Sequence, residues 1–132
     1  MFSASKLLSG PDLGIPAQIW DEAKEQARIA MIERAKIRGM ISYSDLVNRI
    51  TALPLEAHDV RLFHLLGEVS SEEDKAGRGM LTVVVVHKTG DMEPGNGFYE
   101  LADLLGHKTA DPLKFWVSEL HKVHAVWSKR PN

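Results

Sequence analysis

The segment Leu81-Thr82-Val83-Val84-Val85-Val86-His87 constrains this chain more than any other. Its β-branched residues follow one another without polar alternation, which predicts a strand covered on both faces. A chain of 132 residues can bury such a strand in one domain and needs neither a disulfide nor a metal to fold. The run is far too short to cross a bilayer, and Met1–Gly10 carries too little apolar sequence for a secretory signal. A soluble, cytoplasmic protein without membrane contact is expected.

Around that segment the pattern is helical. Pro16 opens a first long helix, because proline at the first helical position forfeits no hydrogen bond. Trp20, Ala23, Ala27, Ala30 or Met31, and Ala35 then recur at helical steps. Asp21, Glu22 and Glu25 near its start and Arg34, Lys36 and Arg38 near its end complement the helix dipole, and Gly39 is its natural stop. Ser42 with Asp45 predicts a capped short helix carrying Leu46, Val47 and Ile50. After a break at Thr51–Pro54, Leu55–Leu66 predicts another helix, ended by Gly67, and Ser71–Gly79 reads as polar loop with room for one helical turn. Glu93-Pro94-Gly95-Asn96-Gly97 is a second loop, of residues that tolerate positive φ. Phe98–Leu105 predicts a helix closed by Gly106. Asp111 caps a last helix that starts at Pro112, with Leu113, Trp116 or Val117, Leu120, Val123 and Trp127 as its apolar stripe. The expected organisation is an N-terminal arm over 1–15 and a single helix-rich α+β domain over 16–132.

The absence of cysteine excludes thiol nucleophiles and Cys-type metal sites. His121 and His124 lie three apart on the last helix, but no further ligands accompany them. They are expected on the solvent-facing flanks of the stripe, and no metal is expected. Gly77-Arg78-Gly79 and Gly95-Asn96-Gly97 are loops whose N–H groups could face an anion, the second just before a helix. Neither has the Lys-Ser/Thr of a phosphate loop or a dinucleotide fingerprint, so no cofactor is expected. His87, Asp91 and Glu93 are the acid–base candidates where the strand leaves the core. Arg78, His87, Lys88 and Asn96 mark a possible pocket.

Sixteen Lys and Arg against eighteen Asp and Glu leave a net charge of −2, so no basic excess announces a nucleic-acid binder. Locally, Arg34, Lys36, Arg38 and Arg49 face only Asp45, and this stretch leads into two helices separated by a proline turn. That order fits a helix-turn-helix unit, with the following loop and strand as its wing.

Gly39-Met40-Ile41-Ser42-Tyr43-Ser44-Asp45-Leu46-Val47 resembles the G-x-V-x-S/T-Y-G-x-L-A motif of the alkylguanine-DNA alkyltransferase and alkyltransferase-like proteins. Pro54-Leu55-Glu56-Ala57-His58-Asp59-Val60-Arg61 resembles the P-x-A-x-R-x-V-G start of their recognition helix. The resemblance implies a winged-helix-like core that contacts DNA, with Tyr43 at the motif tyrosine. His58 or Asp59 takes the place of the base-flipping arginine. The family's Pro-Cys-His-Arg active site is absent, which excludes alkyl transfer. The C-terminal half, from Gly77 to Trp127, resembles a group of small uncharacterised bacterial proteins, which implies no activity. The leading expectation is a non-enzymatic recognition module binding nucleic acid through Tyr43, Arg49, His58 and Arg61. A protein-binding immunity or antitoxin-like partner and a small enzyme with a cleft near Arg78 and His87 are the alternatives.

Overall fold

The computed structural model describes residues 7–88 and 93–129. In chain order its elements are α1 (Ala17–Lys36), β1 (Ile41–Ser42), α2 (Tyr43–Arg49), α3 (Val60–Lys75), β2 (Val85–Val86), α4 (Asn96–Leu104) and α5 (Pro112–Ser128). This is the helix-rich α+β domain that the patterning predicts, with a small parallel sheet. Among the described residues no helix is long and apolar enough to cross a membrane. Residues 1–6 of the arm, the turn at Thr89-Gly90-Asp91 with its acid–base candidate Asp91, and Pro131 lie outside the described residues.

Helix α1 is the centre of the packing. Its inward stripe is Trp20, Ala23, Ala27, Ala30, Met31 and Ala35, as the spacing predicts. Four of these are alanines, which let neighbouring backbones come close, and α1 touches α2, α3, α5 and the segment Leu81–Val84. The helix ends through Arg38, whose φ of 55° is left-handed. Arg38 N–H donates to the Ala35 carbonyl at 3.1 Å and Gly39 N–H to that of Arg34 at 2.8 Å. These are the paired bonds of a Schellman stop. The glycine expected to end the helix therefore sits one position beyond the left-handed residue.

The segment expected as a seven-residue strand is only partly one. Leu81–Val84 makes a 3-10 turn, and only Val85–Val86 pairs, in parallel, with β1. Residues 81–86 are all buried, as predicted. A strand needs another strand to take its backbone bonds, whereas beside Leu81–Val84 the neighbours are helices. Their side chains take the backbone bonds instead. Met80 N–H donates to Glu119 Oε2 at 2.7 Å, Thr82 N–H to Ser70 Oγ at 3.1 Å, and Trp116 Nε1–H to the Val83 carbonyl at 3.1 Å. Unbroken apolar sequence records burial but not which groups satisfy the backbone.

Helix α3 begins at Val60 rather than Leu55, where Asp59 caps it by accepting Arg61 N–H at 2.9 Å. It passes through Gly67, the expected stop, because that glycine faces inward. A Cβ there would lie 2.5 Å from Leu7 Cδ2, so the position serves close packing of the arm. Ser71–Lys75, expected as loop, is the end of the same helix. Its acids are held from α1: Lys24 pairs with Glu68 and Glu72, and Arg28 with Glu72 and Glu73. Glu73, only 3% exposed, also accepts two bonds from Arg78.

Ser42 caps α2 by accepting Asp45 N–H at 3.1 Å, and Asp111 caps α5, both as predicted. The buried face of α5 is rotated from the predicted stripe: Trp116, Glu119, Val123 and His124 face inward, while Leu113 and Val117 are 54% and 39% exposed. Glu119 is drawn in by Met80 N–H. His124 is drawn in by the Gly39 carbonyl, to which its Nε2–H donates at 2.9 Å. The solvent-facing position expected for His124 is thus corrected, whereas His121 is exposed.

Candidate ligand pocket

The parallel ladder sets Ile41 opposite Val85 and Ser42 opposite Val86. The next residue of each strand is therefore delivered to the same edge of the sheet: Tyr43, which starts α2, and His87. Their ring centroids are 5.3 Å apart, tilted by 45°. His87 N–H donates to the Glu93 carbonyl at 2.9 Å, which returns the chain to the sheet end. Gly95 N–H then donates to the Tyr43 hydroxyl oxygen at 3.2 Å. Burial pushes the Tyr43 phenol above its ordinary value, an effect that the Gly95 N–H partly offsets.

Helix α4 starts immediately after Gly95, and between its first turns and the first turns of α3 lies a largely apolar cavity of about 540 Å³. Phe63, Leu66, Phe98 and Leu101 supply its walls, and Tyr43, His58, Asp59, Thr82, His87, Asn96 and Glu100 its polar lining. Gly95 and Gly97 are there for space. A Cβ on Gly95 would lie 3.2 Å from His87 Nε2 and 3.5 Å from the Tyr43 hydroxyl, and one on Gly97 3.0 Å from Phe63 Cδ1. Neither is among the positive-φ glycines, so the conformational role expected for this loop does not apply.

The polar lining is unevenly satisfied. Asp59 grips the Arg61 guanidinium, whose Nη2 lies 2.7 Å from Oδ2 and whose Nε lies 3.1 Å from both carboxylate oxygens. Those bonds hold the Asp59 carboxyl below the usual carboxylate range and the Arg61 guanidinium above its own. Glu100 is different. The residue lines the cavity, but its Oε2 is buried and has no hydrogen-bond partner. Leaving a buried acceptor unmade costs about 1–3 kcal/mol.

The residues singled out in the sequence divide in a way that their order does not suggest. Tyr43 and His58, expected on a nucleic-acid face, share one cavity with His87 and Asn96, expected in a pocket. Arg61 adjoins it through Asp59. Arg49 lies at the far end of α2, about 9 Å along the axis from Tyr43, and pairs with Glu33 of α1 at 3.0 Å. Arg78 does not line this cavity. It is bound to Glu73 and sits over the Trp127 ring at 5.9 Å. Lys88 is exposed and also outside the lining. Phe63, Phe98 and Glu100 were not anticipated as site residues, and Asp59 only as standing, with His58, in the place of the motif arginine. The signal for Glu100 was its place four residues after Asn96, on the same helix face.

Among the described residues, ligand atoms of Asp74, His107 and Glu119 lie within 4.8 Å of one another. His107 Nε2 is 3.0 Å from Asp74 Oδ2 and Glu119 already accepts Met80 N–H, so these groups satisfy protein partners. Comparison with known protein families, curated proteins and solved structures found no match.

Proposed function

We propose that the protein is a recognition module whose binding site is the cavity between α3 and α4, and that the ligand is a small molecule or a compact part of a larger one. The observation that carries this reading is the meeting of Tyr43, His87 and Asn96 in the lining of one apolar-walled cavity of about 540 Å³. Ligand sites are typically concave and mostly apolar, with a few placed polar groups, in this size range. Titrating isotope-labelled protein with small aromatic fragments of neutral, cationic and anionic type tests it. The amide signals of Gly95, Gly97 and Phe63 shift when a fragment enters. A set that leaves these signals unmoved at millimolar concentration refutes the reading.

A second reading, recognition of nucleic acid, is supported by the gathering of Tyr43 and His58 in one cavity with Arg61 beside it. Against it, Arg61 is engaged by Asp59 and Arg49 by Glu33, which leaves less charge for phosphates. Phosphate contacts make affinity fall steeply with salt, by about one unit of log-log slope for each contact. In this reading Arg49→Ala/Arg61→Ala flattens the salt dependence of duplex binding. No binding by the unaltered protein at low salt, or an unchanged slope, removes it.

A further inference from the structure

We propose that Asp74, His107 and Glu119 form a site for zinc or a neighbouring first-row divalent ion. The site is separate from the cavity, whose lining includes none of the three. Asp74 comes from the last turn of α3, His107 from the bend after α4 and Glu119 from the middle of α5. Ligand atoms of all three lie within 4.8 Å of one another. Ligands bound at about 2.1 Å sit about 3 to 4 Å from one another, so side-chain shifts on the order of 1 Å close the cluster. His107 Nε2 and Asp74 Oδ2, 3.0 Å apart, already have the spacing of two neighbouring ligands.

The charge of Glu119 carries the inference. Among the described residues two carboxylates are buried, Glu73 and Glu119. Glu73 is paired with Arg28 and Arg78. Glu119 is 6% exposed, and no Lys or Arg among the described residues forms an ion pair with it or with Asp74. Buried charges are normally paired or coordinate metals. A divalent ion cancels the two carboxylate charges of this cluster together.

The protein contacts of these groups hold them in place and leave coordinating atoms open. Met80 N–H fixes Glu119 through Oε2, which leaves Oε1 for an ion. Gly106, at φ 89°, turns the chain after α4, and His107 N–H donates to the Ala102 carbonyl at 2.9 Å. The Phe115 ring stands 5.3 Å from the imidazole. On binding, the Nε2 hydrogen that spans the gap to Asp74 leaves to solvent, and the Nε2 lone pair goes to the ion. Asp74 and His107 are 17% and 26% exposed, so water reaches the cluster from their side and takes the remaining position. An imidazole with two carboxylates suits zinc, whereas magnesium and calcium favour oxygen ligands alone.

Zinc titrated by calorimetry into the chelator-treated full chain tests this, with thermal melting as a second readout. One zinc ion per chain is expected, and zinc raises the melting temperature where equal magnesium or calcium does not. His107→Gln, Asp74→Asn and Glu119→Gln should each weaken zinc binding at least about tenfold. Gln at 119 still offers Met80 N–H an acceptor, and the two partly exposed positions carry the test should that variant fail to fold. His121→Gln, on the exposed side of α5, leaves the affinity unchanged. No zinc binding at millimolar concentration, binding that survives all three substitutions, or an equal response to magnesium overturns the site.

Discussion

The rings of Tyr43 and His87 stand 5.3 Å apart because the residues just before them, Ser42 and Val86, are register partners in the parallel ladder. Two strands of two residues are too short to contribute much stability of their own. Their consequence is positional. They bring a helix start and a strand end to one point, against which Gly95 N–H docks on the Tyr43 hydroxyl. A slip by one residue would turn one of the two side chains to the opposite face.

Gly95 occupies the space between those side chains at φ −78°, a conformation open to any residue. Gly95→Ala should therefore leave stability within about 1 kcal/mol of the parent, since only the exposed His87 ring must yield. Its methyl group fills the meeting point of Tyr43 and His87, so fragment binding should weaken at least about tenfold, on the order of 1.4 kcal/mol. Thermal melts and fragment titrations on the same sample separate the two effects. A variant that binds as the parent does would show that the ligand avoids this end of the cavity.

Trp116 Nε1–H donates to the buried Val83 carbonyl, a backbone acceptor with no strand beside it. Trp116→Phe keeps most of the ring volume and removes the donor. The expected loss is about 1–3 kcal/mol from the unsatisfied carbonyl, read as a lower urea midpoint at unchanged slope. A neutral substitution would mean that this segment does not depend on side-chain donors.

His64 is buried and its Nδ1 accepts Leu8 N–H at 3.0 Å, which ties the arm to α3. Burial pulls its titration below the ordinary histidine value. The unfolded chain takes up a proton below about pH 6.5 while the folded chain resists it, so the contribution of His64 is complete above that pH. It is lost as pH falls through the ordinary value toward the depressed folded one, at no more than about 1.4 kcal/mol per pH unit. Denaturant unfolding across this range should show a steeper loss in the parent than in His64→Gln. Parallel pH profiles for the two would contradict the assignment.

Arg38 holds the left-handed position of the Schellman stop with φ 55°. A side chain in that region costs about 1–2 kcal/mol, part of which glycine returns as unfolded-state entropy. Arg38→Gly should raise stability by up to about 1 kcal/mol. An unchanged or lower melting temperature would mean that the Arg38 side chain makes up the difference elsewhere.

Much of the fold was legible because its signals are local. The stripe of α1, the Ser42 and Asp111 caps and the burial of Val83–Val86 each depend on residues within a few positions of one another. Where the prediction failed, the deciding partner was remote. Gly67 stays helical because Leu7 packs on it, Ser71–Lys75 extends α3 opposite Lys24 and Arg28, and His124 turns inward to the Gly39 carbonyl.

The candidate site divides along the same line. Tyr43, His58, His87 and Asn96 could be singled out from residue type and local setting, but the sequence placed them in two separate sites. Only the tertiary structure merges them in one cavity, leaves Arg49, Arg78 and Lys88 outside its lining, and adds Glu100 to it. The physical reason is range. Helix periodicity, caps and apolar runs are settled by neighbours along the chain. Strand register, the partner of a buried backbone group and the walls of a cavity are settled by whichever distant side chains close packing brings together.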